Sequence, residues 1–129
     1  MRLPGPEDLR NRHAIPWAEV PRREVDEFRG EVVTAVAAGA RLVSLFGLPE
    51  DDTRTRLVAV LADDERATLG VTSAVAGASY PALTPECPEA HLFEREIAEQ
   101  CGVTPEGHPW LKPVRRHPPD HLPSARRVP

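Results

Sequence analysis

The sequence predicts one α+β domain, in which an N-terminal helix packs on a small, mainly antiparallel sheet of about three or four strands. Three observations predict this class. A helical repeat of apolar residues follows Pro21, three short apolar segments lie between Arg41 and Gly77, and a second helical segment follows Glu89. A chain of 129 residues is long enough for a single modest core, and no second domain is expected.

Residues 1–20 are predicted to form an extended lead-in. They contain three prolines and few regularly spaced apolar residues, so their order is expected to depend on docking. Trp17 is the expected anchor of this lead-in. From Pro21 the spacing becomes helical, and the predicted helix ends at Gly39; its apolar residues are Val25, Phe28, Val32 and Val36.

Two apolar segments are expected to form central strands, from Arg41 to Leu48 and from Thr55 to Ala62, because each carries apolar residues on both of its faces. A third segment begins at Ala67 and alternates apolar with small residues until Gly77. We expect this third strand to bury one face only.

Acidic runs connect these segments at residues 50–52 and 63–65. Carboxylates are divalent-cation ligands, but neither run has the ligand spacing of a calcium-binding loop, and short turns favour the same residue types. Both runs are therefore interpreted as solvated turns.

A second helix is predicted from Glu89 to Cys101, a stretch without Pro or Gly. One stripe of it is apolar and consists of Ala90, Phe93, Ile97 and Cys101. Arg95 and Glu99 lie on the opposite side, where we expect an exposed i,i+4 pair. Gly102 follows the helix as a C′ residue.

Glu94 and Glu96 border the apolar stripe from its two flanks. One interpretation is that Glu94-Arg95-Glu96 forms a solvated helix face. The other is that the carboxylates anchor a loop or a partner, since carboxylates beside buried surface need hydrogen-bond donors.

The order of motifs around this helix resembles a known family. Pro-Ala-Leu-Thr at 81–84, Phe-Glu-Arg-Glu-Ile at 93–97, Gly-Val at 102–103, and Gly-His-Pro at 107–109 followed by Leu111-Lys112 are similar to the 30 kDa subunit of NADH:quinone oxidoreductase (complex I). They are equally similar to its counterpart in membrane-bound nickel–iron hydrogenases and formate hydrogenlyases. The chain departs from the family pattern at Leu92 (usually Trp), Glu99 (usually Asp), Cys101 (usually aromatic) and Pro113 (usually basic). These departures favour a divergent relative, either hydrogenase-type or orphan.

The resemblance implies a scaffold subunit that binds no cofactor itself and docks beside a large catalytic subunit and an iron–sulfur subunit. It implies a parent complex with iron–sulfur clusters and either NADH, FMN and quinone or a nickel–iron centre, on the cytoplasmic side of a membrane. The residues expected to dock or to carry the motif are Pro81, Thr84, Phe93, Glu94, Arg95, Glu96, Gly102, Gly107, His108, Pro109, Trp110, Leu111 and Lys112.

Composition and motifs argue against several other classes of protein. A net charge of −4 gives no electrostatic case for nucleic-acid binding. Without a long apolar run or a signal peptide's apolar region, we expect a cytoplasmic chain that does not enter the membrane. Cys87 and Cys101 are too few and too far apart for a zinc or iron–sulfur site, and no glycine-rich dinucleotide or phosphate-binding loop occurs.

The composition changes at Gly107, so the predicted domain covers residues 21–107 and residues 108–129 form a C-terminal arm. This arm holds six of the 15 prolines and five basic residues against one acid. Its local charge of +4 leaves −8 on residues 1–107, out of a total of −4. Such a segment builds no core of its own, so it is interpreted either as a disordered tail or as an arm that orders along an acidic partner.

Two alternatives to a scaffold subunit stay open from the sequence. An enzyme would use Glu94 or Glu96 with His108 as acid and base, provided that they converge in a pocket. A stand-alone small-molecule-binding or regulatory domain would need a sizeable apolar pocket with converging polar groups.

Overall fold

The computed structural model describes residues 1–115 and confirms the α+β class. Helix α1 covers Val25–Ala37 and helix α2 covers His91–Cys101. Single 3₁₀ turns cover Trp17–Glu19 and Pro88–Ala90. The strands are β1 (Arg22–Arg23), β2 (Arg41–Pro49), β3 (Thr55–Asp63), β4 (Thr68–Ala76), β5 (Ser79–Pro81) and β6 (Thr104–Glu106).

The main sheet has four strands in the order β1-β4-β3-β2. Strands β2, β3 and β4 pair antiparallel, while β1 lies parallel to β4. The three long strands begin and end within one residue of their predicted bounds. Residues 50–52 connect β2 to β3 as predicted, whereas Asp63 is the buried last residue of β3, so only Asp64 and Glu65 of the second acidic run lie in a turn.

Strand β2 is an edge strand, so its prediction as a central strand is wrong. It buries Leu42 and Leu45 on its inner face, but its outer residues Val43, Phe46 and Leu48 are 36–40% exposed. A β-bulge between Leu42 and Ser44 shifts the register with β3. Apolar residues on both faces of β2 therefore do not mean that the strand has a neighbouring strand along both of its edges. Strand β3 is central, as predicted, and buries both faces.

The prediction that β4 buries one face is also wrong, because the lead-in covers its outer face. Val71 packs there with Val20, and Leu9 and Ile15 pack against them. The lead-in also lies along the β4 backbone, where the amide of Leu69 donates to the carbonyl of Leu9 (2.7 Å) and that of Val71 to Pro4 (3.0 Å).

The prediction that Trp17 anchors the lead-in is not supported by its burial, because the residue is half exposed. Its ring instead lies over the guanidinium of Arg56, 4.7 Å from the ring centroid. Val20, which is 8% exposed, is the buried apolar contact of this segment. A flat cation such as arginine can cover an indole face and leave the other face open to solvent.

Helix α1 begins four residues later than predicted. Arg22 and Arg23 continue as an extended strand beside Ser73 and Ala74 of β4, and the Ser73 hydroxyl donates to the carbonyl of Pro21 at 2.6 Å. From Val25 the apolar repeat buries one side of the helix on the inner face of the sheet, through Phe28, Val32 and Ala35.

Helix α2 packs at the β2 side of the sheet and completes the main core. The largest side chains of that core include Phe28, Leu57, Leu61, Leu83 and Ile97. The short strands β5 and β6, which flank α2 in the sequence, pair with each other in parallel and form a separate two-stranded sheet. This pair was not predicted.

Candidate docking site on helix α2 and the C-terminal arm

Glu94 lies on the inner side of α2 and is fully buried. Its two carboxylate oxygens accept four hydrogen bonds: from the Tyr80 hydroxyl (2.7 Å), the Leu83 amide (3.0 Å), the Thr84 amide (2.9 Å) and the Thr84 hydroxyl (2.6 Å). Tyr80 lies in β5, and the other three donors belong to the segment that leads from β5 towards α2. Glu94 therefore anchors this loop, which confirms the second interpretation of its role and makes a solvated position wrong.

The Tyr80 hydroxyl keeps its proton and can therefore donate to Glu94. Burial raises its pKa well above the usual range, and the adjacent Glu94 carboxylate raises it further. Tyr80 is 2% exposed and was not among the predicted site residues. A single tyrosine beside a proline carries no signal in the sequence that predicts such a contact.

The outer side of α2 holds the beginning of the C-terminal arm, which folds back along the helix. Arg95 donates from Nε to the carbonyl of Lys112 (2.8 Å) and from Nη2 to that of Pro113 (3.1 Å). Glu99 accepts the amides of Val114 (2.7 Å) and Arg115 (2.9 Å). We call Arg95 and Glu99 the backbone clamp.

The expectation that Arg95 and Glu99 lie on an exposed face is therefore wrong. Both are only partly exposed, and their contacts with main-chain atoms of the arm bind it whatever its side chains are. Glu96 adds a third contact, because its Oε1 lies 3.2 Å from Nε of Arg115 and also accepts the side-chain amide of Gln100.

Three aromatic rings pack where the arm begins. The His91 ring stacks on that of His108, with 5.1 Å between centroids, and lies nearly parallel to Trp110 at 6.3 Å. The Arg95 guanidinium and the Lys112 ammonium lie 5.4 and 5.0 Å from the Trp110 ring centroid. We call His91, His108 and Trp110 the aromatic stack. His91 was missed in the sequence, although its i,i+4 spacing from Arg95 places it on the same side of α2.

Apolar side chains remain open to solvent beside this stack. Leu92 is 58% exposed, Trp110 56% and Leu111 43%. We call these three residues the apolar surface. Leu92 follows His91, on which Trp110 stacks, while Leu111 lines a cleft with Arg95, Ala98 and Glu99 further along α2.

The remaining predicted site residues shape the backbone or join the core. Gly102 ends α2 in a left-handed conformation (φ 69°), as predicted, and Gly107 has φ 84° where the chain turns into the arm. Phe93 packs against the main core. Pro81 ends β5 with an exposed side chain, and Pro109 is exposed in the arm.

The acid–base pair considered for an enzyme is not assembled by these contacts. Glu94 binds the loop, Glu96 binds Arg115 and Gln100, and His108 contacts His91 and Trp110. Within residues 1–115, no group of three or more His, Cys, Asp or Glu side chains could hold a metal ion. In the same part of the chain, no helix has the length and apolar character needed to cross a bilayer.

Comparison with known proteins identifies the family of this chain. No curated protein matches it. A family model described as "Respiratory-chain NADH dehydrogenase, 30 Kd subunit" matches residues 15–124, a range that includes both helices, all six strands and the aromatic stack. The resemblance indicated by the motif order is thus confirmed, and the chain belongs to the family of the 30 kDa subunit of respiratory-chain NADH dehydrogenase.

Proposed function

We propose that this protein is a scaffold subunit that binds no cofactor of its own and docks beside the large catalytic subunit of a complex I-like or membrane-bound hydrogenase-like assembly. It would serve on the cytoplasmic side as a peripheral subunit, next to an iron–sulfur subunit. The observation that carries the proposal is the apolar surface of Leu92, Trp110 and Leu111, which lies on a rigidly anchored helix and the arm fixed to it.

The anchoring matters because a docking surface loses affinity when it must be ordered on binding. Glu94 ties α2 to the loop before it through four buried hydrogen bonds. The backbone clamp then fixes the start of the arm on the other side of the same helix. The two elements that contribute to the apolar surface are therefore held in place before a partner arrives.

The chemistry of this surface favours an apolar partner with acidic groups around it. Leu92, Trp110 and Leu111 are each more than 40% exposed, and large apolar side chains, tryptophan above all, are typical of interface centres. Arg95 and Lys112 flank Trp110, and the whole arm carries a charge of +4. Oppositely charged surfaces steer association at low ionic strength.

Co-purification with the adjacently encoded large subunit tests the proposal. We expect Trp110→Ala to weaken the complex by roughly tenfold or more, since interface tryptophans often contribute at least about 1–2 kcal/mol. Trp17→Ala is the matched control, because Trp17 is also a half-exposed tryptophan in contact with an arginine but lies on the outer face of the sheet. Equal recovery of the large subunit with both variants would contradict the proposal.

The arm itself is tested by deleting residues 113–129. We expect the melting temperature of the isolated domain to change little, because this deletion removes no core residue of the described part, 1–115. Recovery of the large subunit should fall, and the difference from the full chain should be larger at low salt, because high salt screens the arm's charges in the full chain as well. Full recovery with the truncated chain would limit docking to the apolar surface.

The alternative of a stand-alone binding domain finds weaker support. A groove of about 640 Å³ lies between residues 1–5 and α1, but its charged side chains Arg23 and Glu31 pair with each other at 3.3 Å. Glu31 also accepts the Thr72 hydroxyl. Polar groups that are already paired do not provide the converging contacts that a small-molecule site needs.

A further inference from the structure

Both ring nitrogens of His108 take part in hydrogen bonds. Nε2 lies 3.1 Å from the carbonyl oxygen of His91, and Nδ1 lies 3.1 Å from the amide nitrogen of Trp110. A carbonyl oxygen only accepts, and an amide N–H only donates. The ring must therefore carry its proton on Nε2 and a free lone pair on Nδ1, which is the neutral imidazole in one defined tautomer.

A second proton on this ring would bind at Nδ1. It would remove the acceptor of the Trp110 amide and place two donors against each other. The contact to His91 would remain, but the first turn of the arm would lose the hydrogen bond that fixes Trp110 relative to His108.

Two cationic side chains lie against the aromatic stack. His91 stacks directly on His108, while Arg95 of α2 and Lys112 of the arm already place positive charge against Trp110. A cation at His108 would add to that charge.

The carboxylates on the neighbouring elements have other contacts. On α2, Glu94 binds the loop, Glu96 binds Arg115, and Glu99 binds the arm amides. Glu89, in the turn before α2, contacts the thiol of Cys87. Glu106 of β6, two residues before His108, is exposed and is the acidic group closest to it in the sequence.

We propose that His108 is a proton-sensitive latch, which holds residues 108–111 of the arm on α2 while its ring is neutral and releases them when the ring takes a second proton. The consequence for docking rests on the proposed function, because the released turn carries Trp110 and Leu111 of the apolar surface. The latch itself is a property of the isolated chain.

The backbone clamp provides an internal reference for this latch. Arg95 and Glu99 hold residues 112–115 through a guanidinium and a carboxylate, and no imidazole takes part in these contacts. Mild acid should therefore free residues 108–111 of the arm and leave residues 112–115 on the backbone clamp.

Nuclear magnetic resonance on the ¹⁵N-labelled full chain, without a partner, tests the latch. Ring ¹⁵N shifts at about pH 7.5 should show the Nε2–H tautomer of His108. The ratio of docked to released turn, followed by the backbone order of Trp110, should fall as the solution is acidified through the imidazole range. The amide of Val114 should keep its order.

Two variants assign this response to the correct ring. His91→Phe keeps a stacking ring without an ionisable group and should retain the acid response. His108→Gln keeps a donor and an acceptor without titrating, and its Trp110 order should not depend on pH.

An ordered Trp110 in the acidified wild type, an Nδ1–H tautomer at neutral pH, or a response that disappears in His91→Phe would each overturn the latch. None of these results bears on the docking proposal, which the comparison of Trp110→Ala with Trp17→Ala tests at constant pH.

Discussion

At the scale of single residues, Glu94 is stable in the interior only because each of its oxygens meets two donors. Burying a carboxylate without partners costs far more than a hydrogen bond returns, whereas a carboxylate with four donors also satisfies four groups that would otherwise be buried unpaired. Three of these donors are the amides of Leu83 and Thr84 and the Thr84 hydroxyl. The stability of the loop and that of α2 are therefore coupled through one side chain.

Glu94→Ala should lower the free energy of unfolding by about 3 kcal/mol or more, because it leaves buried donors without an acceptor. Glu99→Ala is the matched control on the same helix. It loses its contacts to the exposed arm and should cost under about 1 kcal/mol. Urea unfolding of both variants measures the difference. Similar small losses at the two positions would show that the buried contacts of Glu94 contribute little.

Cys87 should make stability fall at alkaline pH. Burial raises the pKa of its thiol from 9.0 to about 11, and Glu89 adds to this shift. Because the folded pKa lies above the unfolded one, the stabilising contribution is complete below about pH 9 and is lost as the pH rises towards 11. We expect a loss on the order of 1–2 kcal/mol over this range.

Urea unfolding between about pH 8 and about pH 11 measures this loss. Tyr80, whose pKa is also raised, adds to the decline above its ordinary value of 10.0. Cys87→Ala should be less stable than the wild type at neutral pH and should decline less steeply between about pH 9 and about pH 10. Parallel curves for the two proteins would assign the decline to other groups.

At the scale of elements, the close approach of α2 to β2 depends on Gly47. A Cβ at this position would lie 2.8 Å from Sγ of Cys101 and 2.8 Å from Cγ2 of Thr55. Both neighbours are short side chains on rigid elements, so they cannot move away without shifting the helix or the strand. Gly47→Ala should therefore destabilise the protein by about 1–3 kcal/mol.

Gly30→Ala is the control for this substitution. Gly30 lies within α1, and an added Cβ would meet nothing within 4 Å. Alanine has the higher helix propensity, so this variant should gain up to about 1 kcal/mol. Thermal unfolding of the two variants should shift in opposite directions. A stabilised Gly47→Ala would mean that α2 and β2 adjust to the added methyl group.

The elements that could be predicted are those with a sustained apolar repeat. Strands β2, β3 and β4 and both helices have one. Their bounds agree with the expected ones except at the starts of α1 and α2, which lie four and two residues later. Strands β5 and β6 have three residues each, and each contains a proline. Neither periodicity nor propensity indicates such a strand, because its pairing depends on where α2 places its two ends.

The candidate site likewise contains one part that the sequence indicated and one that it did not. The borders of the apolar stripe on α2 indicated that Glu94 needs donors, and the structure supplies them. The sequence carried no comparable sign for the backbone clamp, since Arg95 and Glu99 bind main-chain atoms that every residue has. A solvated helix face and a face covered by backbone have the same side-chain pattern.

At the scale of the whole molecule, two segments with little regular structure cover surfaces of the regular elements. The lead-in closes the outer face and the edge of β4, and the arm lies along α2. The lead-in approaches β4 closely at two glycines, because a Cβ on Gly70 would lie 2.6 Å from Cβ of Leu3 and one on Gly5 would lie 2.8 Å from the carbonyl oxygen of Val71. Such a fit indicates that residues 3–9 are an integral layer of the domain.

Deleting residues 1–9 should therefore lower the free energy of unfolding by about 2–4 kcal/mol, through the loss of two edge hydrogen bonds and of the apolar contacts of Leu3 and Leu9. The uncovered edge of β4 should also pair with other molecules, so light scattering should detect concentration-dependent association. Arg2→Ala is the control, because its ion pair with Glu7 joins side chains that are 83% and 76% exposed and should contribute under about 1 kcal/mol. A truncated chain that unfolds like the wild type and stays monomeric would mean that the strands hold the sheet closed without this layer.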